Sequence, residues 1–266
     1  MRRKLIIGGA LAALLALGGV AYAAAASNKY TAKLAFSSTK PGSSAKPVPL
    51  SYSETLTAQN VDSSKVAAPL VDIKTTIYGM ASNLNLKAFK TCSEKTISTG
   101  PKYNAACPAG SEVASGTVNS ELGGATLSKS TAVACNPDLA IYNGGGGKEW
   151  YFFTAPSPTS CHGLTTGQTA PYPGTVKKSG KNLVINVPLP ADVSTQVANI
   201  PGEYGSLIKE TIKVKALSVK VKGKTVYSQD SVACQGSKRP YSVSFTSVTS
   251  AGGPKSTSTV KGSAKC

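Results

Sequence analysis

Histidine and arginine are nearly missing from this 266-residue chain, which holds His162 as its one histidine and Arg2, Arg3 and Arg239 as its arginines. A single histidine excludes a three-histidine zinc site and the H-E-x-x-H helix of metalloproteases. A serine triad would have to recruit His162, yet no G-x-S-x-G elbow accompanies it. There is no C-x-x-C, no P-loop, no G-x-G-x-x-G and no calcium loop of the D-x-[DN]-x-[DN]-G type. Gly144 to Gly147 are followed by Lys148, but "EWYFF" does not start the helix a phosphate loop needs. The sequence therefore nominates no catalytic residue, no metal ligand and no cofactor, and the expectation is a protein that is not an enzyme.

Acidic side chains are also scarce, 12 against 29 basic ones, and charged residues make up only 15% of the chain. Glycoside hydrolysis needs only two carboxylates across a cleft. Glu112, Glu121, Glu149 and Glu203 are among the acids, but no pattern pairs any of them, so a carboxylate-dependent glycoside hydrolase stays as a remote alternative. The formal net charge is +17, and lysine supplies nearly all of it. Arginine's planar fork selects phosphates and base edges, whereas lysine acts as a hydrated point charge. The balance thus argues for diffuse attraction to anionic polymers and against specific nucleic-acid readout.

The N-terminus sets the compartment. Arg2, Arg3 and Lys4 precede an almost wholly apolar Leu5–Val20, and "AYAAAAS" offers small-residue cleavage sites after Ala23 or Ala26. This layout predicts a signal peptide helix over residues 1–26 and a secreted or cell-surface chain over 27–266. The competitor is a retained anchor, because the stretch is long enough to span a bilayer. Membrane contact is expected only through that segment.

Six cysteines stand at 92, 107, 135, 161, 234 and 266. An even count in an exported chain reads as three disulfides. Residues equidistant from a hairpin turn face each other, and each sequential pair is centred on a turn signal. For Cys92 and Cys107 the centre is "TGP"; for Cys135 and Cys161 it is Lys148, after the four glycines; for Cys234 and Cys266 it opens "SAGGP". Cys92–Cys107, Cys135–Cys161 and Cys234–Cys266 are the expected bridges, each contributing about 3 to 4 kcal/mol on chain-entropy grounds.

Strand patterns recur along the rest. Tyr30, Ala32, Leu34 and Phe36 share one face of "KYTAKLAFS", and Val71, Ile73, Thr75 and Ile77 share one face of "LVDIKTTI". "NLVINVPL" reads as a buried strand, and "YSVSFTSV" puts Tyr241, Val243 and Phe245 opposite serines. No long stretch has a helical period; a short helical turn near Asp192–Asn199 is the one candidate. Short strands between Gly, Pro and Ser turns predict an all-β fold, an antiparallel β-sandwich of immunoglobulin-like or jelly-roll-like type. The segment 163–181 is the one place where two lobes could be joined.

Two surface features carry functional readings. Trp150, Tyr151, Phe152 and Phe153 adjoin in a chain that is 6% aromatic. In a strand, one pair would pack inside and the other lie under a loop; alternatively, Trp150 or Tyr151 is exposed as a sugar-stacking platform. "KETIKVKALSVKVKGK" carries Lys213 and Lys215 in one parity and Lys220, Lys222 and Lys224 in the other, so a bulge or bend is expected near Ala216–Ser218. These lysines either protect a solvated edge or form a stripe for an anionic cell-wall polymer.

"CPAGSEVASGT", with "NLVINVPL", "PGEYGSLIKETIKVKALSV" and the closing "CQGSKRPYSVSF…C", resembles the C-P-x-x-S-x-V-G-S-G-T pattern of exported β-rich proteins of actinobacteria. The likeness covers roughly residues 70–266, departs at Ala114, where that family tends to carry glycine, and leaves the Cys135–Cys161 segment unmatched. It implies location and fold rather than a reaction. The expected function is that of an uncharacterised exported, non-enzymatic β-sandwich protein at the cell surface, associating with anionic wall polymer, with a carbohydrate-binding module as the alternative.

Overall fold

A computed structural model describes residues 27–99, 106–155, 160–161, 167–197 and 202–266. The signal segment 1–26 and His162 lie outside the described residues. In chain order the strands begin with β1 Asn28–Phe36, β2 Val48–Pro49, β3 Tyr52–Asn60, β4 Leu70–Tyr78, β5 Met80–Ser82 and β6 Glu112–Gly124. Next come β7 Val133–Cys135, β8 Asp138–Gly145, β9 Lys148–Ala155, β10 Gly167–Gln168, β11 Tyr172–Ser179 and β12 Asn182–Pro188. The chain ends with β13 Glu203–Val214, β14 Ser218–Val221, β15 Lys224–Tyr227, β16 Gln229–Ser231, β17 Lys238–Val248 and β18 Lys255–Lys265.

The all-β, antiparallel architecture with three disulfides is as expected. Its layers come from one sheet of 13 strands, ordered β1-β3-β13-β6-β8-β9-β11-β12-β4-β17-β18, with β7 beside β6 and β10 beside β9. The sheet curls until its edge strands β1 and β18 run alongside each other, although no ladder of backbone hydrogen bonds joins them. Side chains close the seam: Tyr30 of β1 stacks on Phe245 of β17 with ring centroids 4.4 Å apart. The result is a nearly closed barrel. Within 163–181, β11 pairs with β9 on one side and β12 on the other, in this same sheet.

Alternation explains which face turns inward. On β3, Tyr52, Glu54, Leu56 and Ala58 are buried while Ser53, Thr55 and Thr57 lie outside. On β4, Ile73, Thr75 and Ile77 are buried, but Leu70 rather than Val71 completes the inner row. The phase changes there because Thr246 and Ser247 of β17 pair with Asp72 and Leu70, which leaves Val71 as an extra residue in β4. Outward hydroxyls pair across strands, as in Thr31–Thr57 at 2.6 Å and Ser244–Thr259 at 2.9 Å. A polar outer wall around an apolar lining is the reverse of a lipid-facing barrel, whose outer band is apolar.

Two additions cover the barrel. A small sheet, β2-β16-β5, caps one end. The buried Arg239 ties it to the wall, donating from Nη1 to the Gly79 carbonyl at 2.9 Å and from Nη2 to Ser231 Oγ at 2.6 Å. The other addition is a flap over the outer face of β8 and β9. Asn143 of β8 holds it, donating to the carbonyls of Leu84 at 3.2 Å and Lys90 at 3.0 Å.

The disulfides pair as expected, Cys92–Cys107, Cys135–Cys161 and Cys234–Cys266, with no free cysteine among the described residues. The hairpin reasoning holds for the last two, which flank the β8–β9 and β17–β18 hairpins. For Cys92–Cys107 a short helix, Glu94–Thr99, follows Cys92 inside the flap in place of a hairpin strand, with Ile97 fully buried; Gly100 and Pro101 of the expected turn lie outside the described residues. Where a helical turn is expected near Asp192–Asn199, the described residues show a 3-10 turn, Ala191–Val193; 198 and 199 lie outside them. The phase slip among the lysines is a bend between β13 and the separate β14–β15 hairpin.

Candidate functional site: an acidic cavity inside the barrel

The interior is not filled. A cavity of about 460 Å³ lies within the barrel, in the size range of pockets that hold small organic molecules. Leu56, Val118, Leu139, Ile141, Phe153 and Ile212 give it an apolar wall. Three glutamates break that wall: Glu54 on β3, Glu149 on β9 and Glu210 on β13.

Strand parity places each of them. Glu54 lies between the buried Tyr52 and Leu56 in the inner row of β3. Glu149 shares its face with Tyr151 and Phe153, which also line the cavity. Glu210 shares its face with Ile212 and Val214. Glu54 is paired with Ile212, and Leu56 with Glu210. Glu54 and Glu210 are therefore diagonal neighbours on adjacent strands, with Cα atoms about 7 to 8 Å apart in such pairs. The half-buried Glu210 keeps accessible surface because it borders the cavity.

Hydrogen bonding is uneven. Thr75 Oγ1 donates to Glu54 Oε1 at 2.9 Å, and the Tyr151 hydroxyl donates to Glu149 Oε2 at 2.8 Å. Glu210 receives no side-chain hydrogen bond from the described residues. Gln229 of β16 is 2% exposed and lines the cavity, and its Oε1 has no partner. Tyr151 owes its place to Gly174, opposite Glu149 on β11. A Cβ at 174 would lie 2.5 Å from the Tyr151 ring.

Burial dominates the electrostatics. Desolvation pushes the Glu54 and Glu149 carboxyls up to about 7, with the bonds from Thr75 and Tyr151 pulling the other way. Glu210 rises to about 8, first from burial and then from the nearby Glu54 charge. Burial also raises the hydroxyls of Tyr52, Tyr151 and Tyr172, with neighbouring carboxylates adding to it. Near neutral pH these glutamates are poised between acid and anion. No group of residues suited to a metal ion occurs among the described residues.

The residues singled out from sequence fall in different places. Trp150 is 8% exposed and packs under the flap with Tyr142, Phe152, Cys92 and Ile97. Tyr151 is 5% exposed and faces the cavity. The exposed aromatic platform is thus corrected: β9 lies between two packed layers, so neither ring reaches the outer surface. Lys213, Lys215, Lys220, Lys222 and Lys224 are all exposed, two at the end of β13 and three on the β14–β15 hairpin. Lys215 forms an ion pair with Glu112. Of the four acids considered as hydrolase candidates, only Glu149 lines the cavity. Glu54 and Glu210 went unnoticed, although Glu54 interrupts the apolar row Tyr52, Leu56 and Ala58, and Glu210 precedes Ile212 and Val214 on one face.

No protein-family model matches this chain, and no curated protein or solved structure matches it.

Proposed function

We propose that the protein is a non-enzymatic binding protein, acting outside the cytosol, that holds a small lipophilic molecule inside its barrel. The single observation that carries this reading is the 460 Å³ apolar cavity with a few convergent polar groups. Such cavities gain affinity from apolar burial and orientation from the polar groups. Three disulfides support the compartment, because such bonds form and persist in oxidising surroundings. A sugar guest or a glycosidase mechanism would share the carboxyls, but a sugar needs many more hydrogen-bonding partners than this mostly aliphatic and aromatic wall offers.

Binding of the neutral fluorophore Nile red to the disulfide-intact protein tests the reading. The expected result is saturable emission enhancement, lost in Val118→Trp, which fills the cavity from β6. Equal enhancement in both proteins would place the dye on the surface and overturn the reading.

A second reading concerns the outer wall, where the exposed lysines of β13 and the β14–β15 hairpin favour association with an anionic wall polymer. The two readings use different surfaces and are compatible.

A further inference from the structure

The described residues that line the cavity include Glu54, Glu149, Glu210 and Asp192, but no lysine, arginine or histidine. This occurs in a chain of net charge +17, so four acids share this lining with no basic residue although basic residues outnumber acids more than twofold in the chain. Buried carboxylates ordinarily have a cationic partner, because desolvation without one is costly. Here Glu54 and Glu149 have only the neutral donors Thr75 and Tyr151, and Glu210 has none.

A count of donors and acceptors sharpens the point. Ionised, the three carboxylates offer six acceptor oxygens, and the unpartnered Gln229 Oε1 adds another acceptor to the same lining. The described lining is rich in acceptors and lacks cationic donors. An alkylammonium is the complementary group, with several donors, a positive charge and no acceptor. A fatty-acid carboxylate is the worst match, being an anion brought among acids.

The cavity is also polar at one end. Tyr52, Glu54 and Glu149 lie toward the end capped by β16, where Gln229 O accepts from the Leu50 amide at 3.0 Å. Leu122, Val197 and the Cys135–Cys161 bridge line the opposite end, where Ser120 and Asp192 are the polar exceptions. A head-and-tail guest therefore has one favoured orientation.

We propose that the cavity selects a lipophilic amine, seating its ammonium among Glu54, Glu149 and Glu210 with the apolar tail toward Leu122 and Val197. This rests on the interior-binding reading above and specifies the class of guest. Glu210 is faced by Tyr52 and Glu54 on β3, Glu149 and Tyr151 on β9, Tyr172 on β11 and Asp192 in the 3-10 turn. The described lining of β4, β6, β8, β12 and β16 adds no titratable group, and Cys135 of β7 and Cys161 are bridged to each other. Because the facing groups are acids and phenols, arrival of R–NH3+ displaces a proton from a protonated carboxyl to solvent. The guest keeps its own proton. Uptake is thus favoured as pH rises toward 8, and release is favoured by acid.

Three guests of equal chain length, decylamine, decanol and decanoate, compete against Nile red on the disulfide-intact protein at about pH 8 and about pH 5.5. Decylamine is expected to displace the dye at concentrations at least about tenfold below decanol, with decanoate weakest. That advantage should shrink by at least about fivefold at the lower pH, where the carboxyls are neutral. Calorimetry near pH 7 in two buffers of different ionisation enthalpy should register proton release with decylamine only. Glu210→Gln, or Glu54→Gln if the first fails to fold, should reduce the advantage of decylamine over decanol. If Nile red enters but decanol or decanoate matches decylamine, the amine assignment falls and the interior-binding reading stands. If neither the dye nor any of the three guests binds, both fall.

Discussion

Thr75 on β4 donates its hydroxyl proton to Glu54 on β3 at 2.9 Å, and these strands are not neighbours in the sheet. The bond crosses the barrel interior. It fixes one carboxyl oxygen at the polar end of the cavity, and it opposes the burial that drives that carboxyl toward protonation.

Thr75→Val keeps the shape and removes the donor. Glu54 should then titrate further above 7, because the lost bond favoured its charged form. The stability cost should be about 1.5 to 3 kcal/mol near pH 9, where the bond has a charged acceptor, and about 1 kcal/mol near pH 5. Denaturant melts at both values measure it, and an equal cost at both would mean that Glu54 does not ionise in this bond.

The whole protein should lose stability as pH rises. Below about 4.5 the three glutamates are protonated whether the chain is folded or not. From there to about 7 for Glu54 and Glu149, and about 8 for Glu210, the folded protein retains protons that the unfolded chain has released. Stability therefore falls across this window and stays lower above it. Thermal melts should show Tm lower by at least about 5 °C at pH 9 than at pH 5. Replacing all three glutamates with glutamine should flatten that dependence; an unchanged slope would assign it to other groups.

The Cys92–Cys107 bridge holds the flap over Trp150, the only tryptophan. A double Cys→Ser variant closes no loop there and should be less stable by about 3 kcal/mol. Its tryptophan emission should shift to the red as water reaches the ring. Nile red binding should survive, because Trp150 and the cavity lie on opposite faces of β9. Loss of the dye together with the shift would show that flap and cavity fold as one unit.

On the outer wall, Lys220, Lys222 and Lys224 project from one hairpin. Their replacement by serine should lower the salt concentration that elutes the protein from an anionic wall polymer, with little effect on Tm. Retention that ignores both salt and substitution would end the polymer reading.

The pattern of alternation made much of this legible in advance. The inner row of Ile73, Thr75 and Ile77, the opposed faces of "EWYFF" and two hairpin-spanning bridges follow from parity and turn residues alone. Curling of one sheet into a barrel does not, because it depends on which strands end up at the edges. Long-range pairs such as β3 with β13 leave no local trace. The cavity was hidden for a related reason. Glu54, Glu149 and Glu210 each stand at an apolar parity position, which is visible in the sequence, but only closure brings them round one space. The helix after Cys92 escaped notice because "TGP" dominates the turn signal nearby.

The barrel wall is a single sheet thick, yet Lys209 and Lys213 of β13 face outward while Glu210 on the same strand, with Glu54 and Glu149, faces the cavity. A charged solute approaching this protein thus meets opposite preferences in sequence, attraction for anions at the surface and rejection of them within. Molecules held outside and molecules held inside would not compete, and the wall itself would do the sorting.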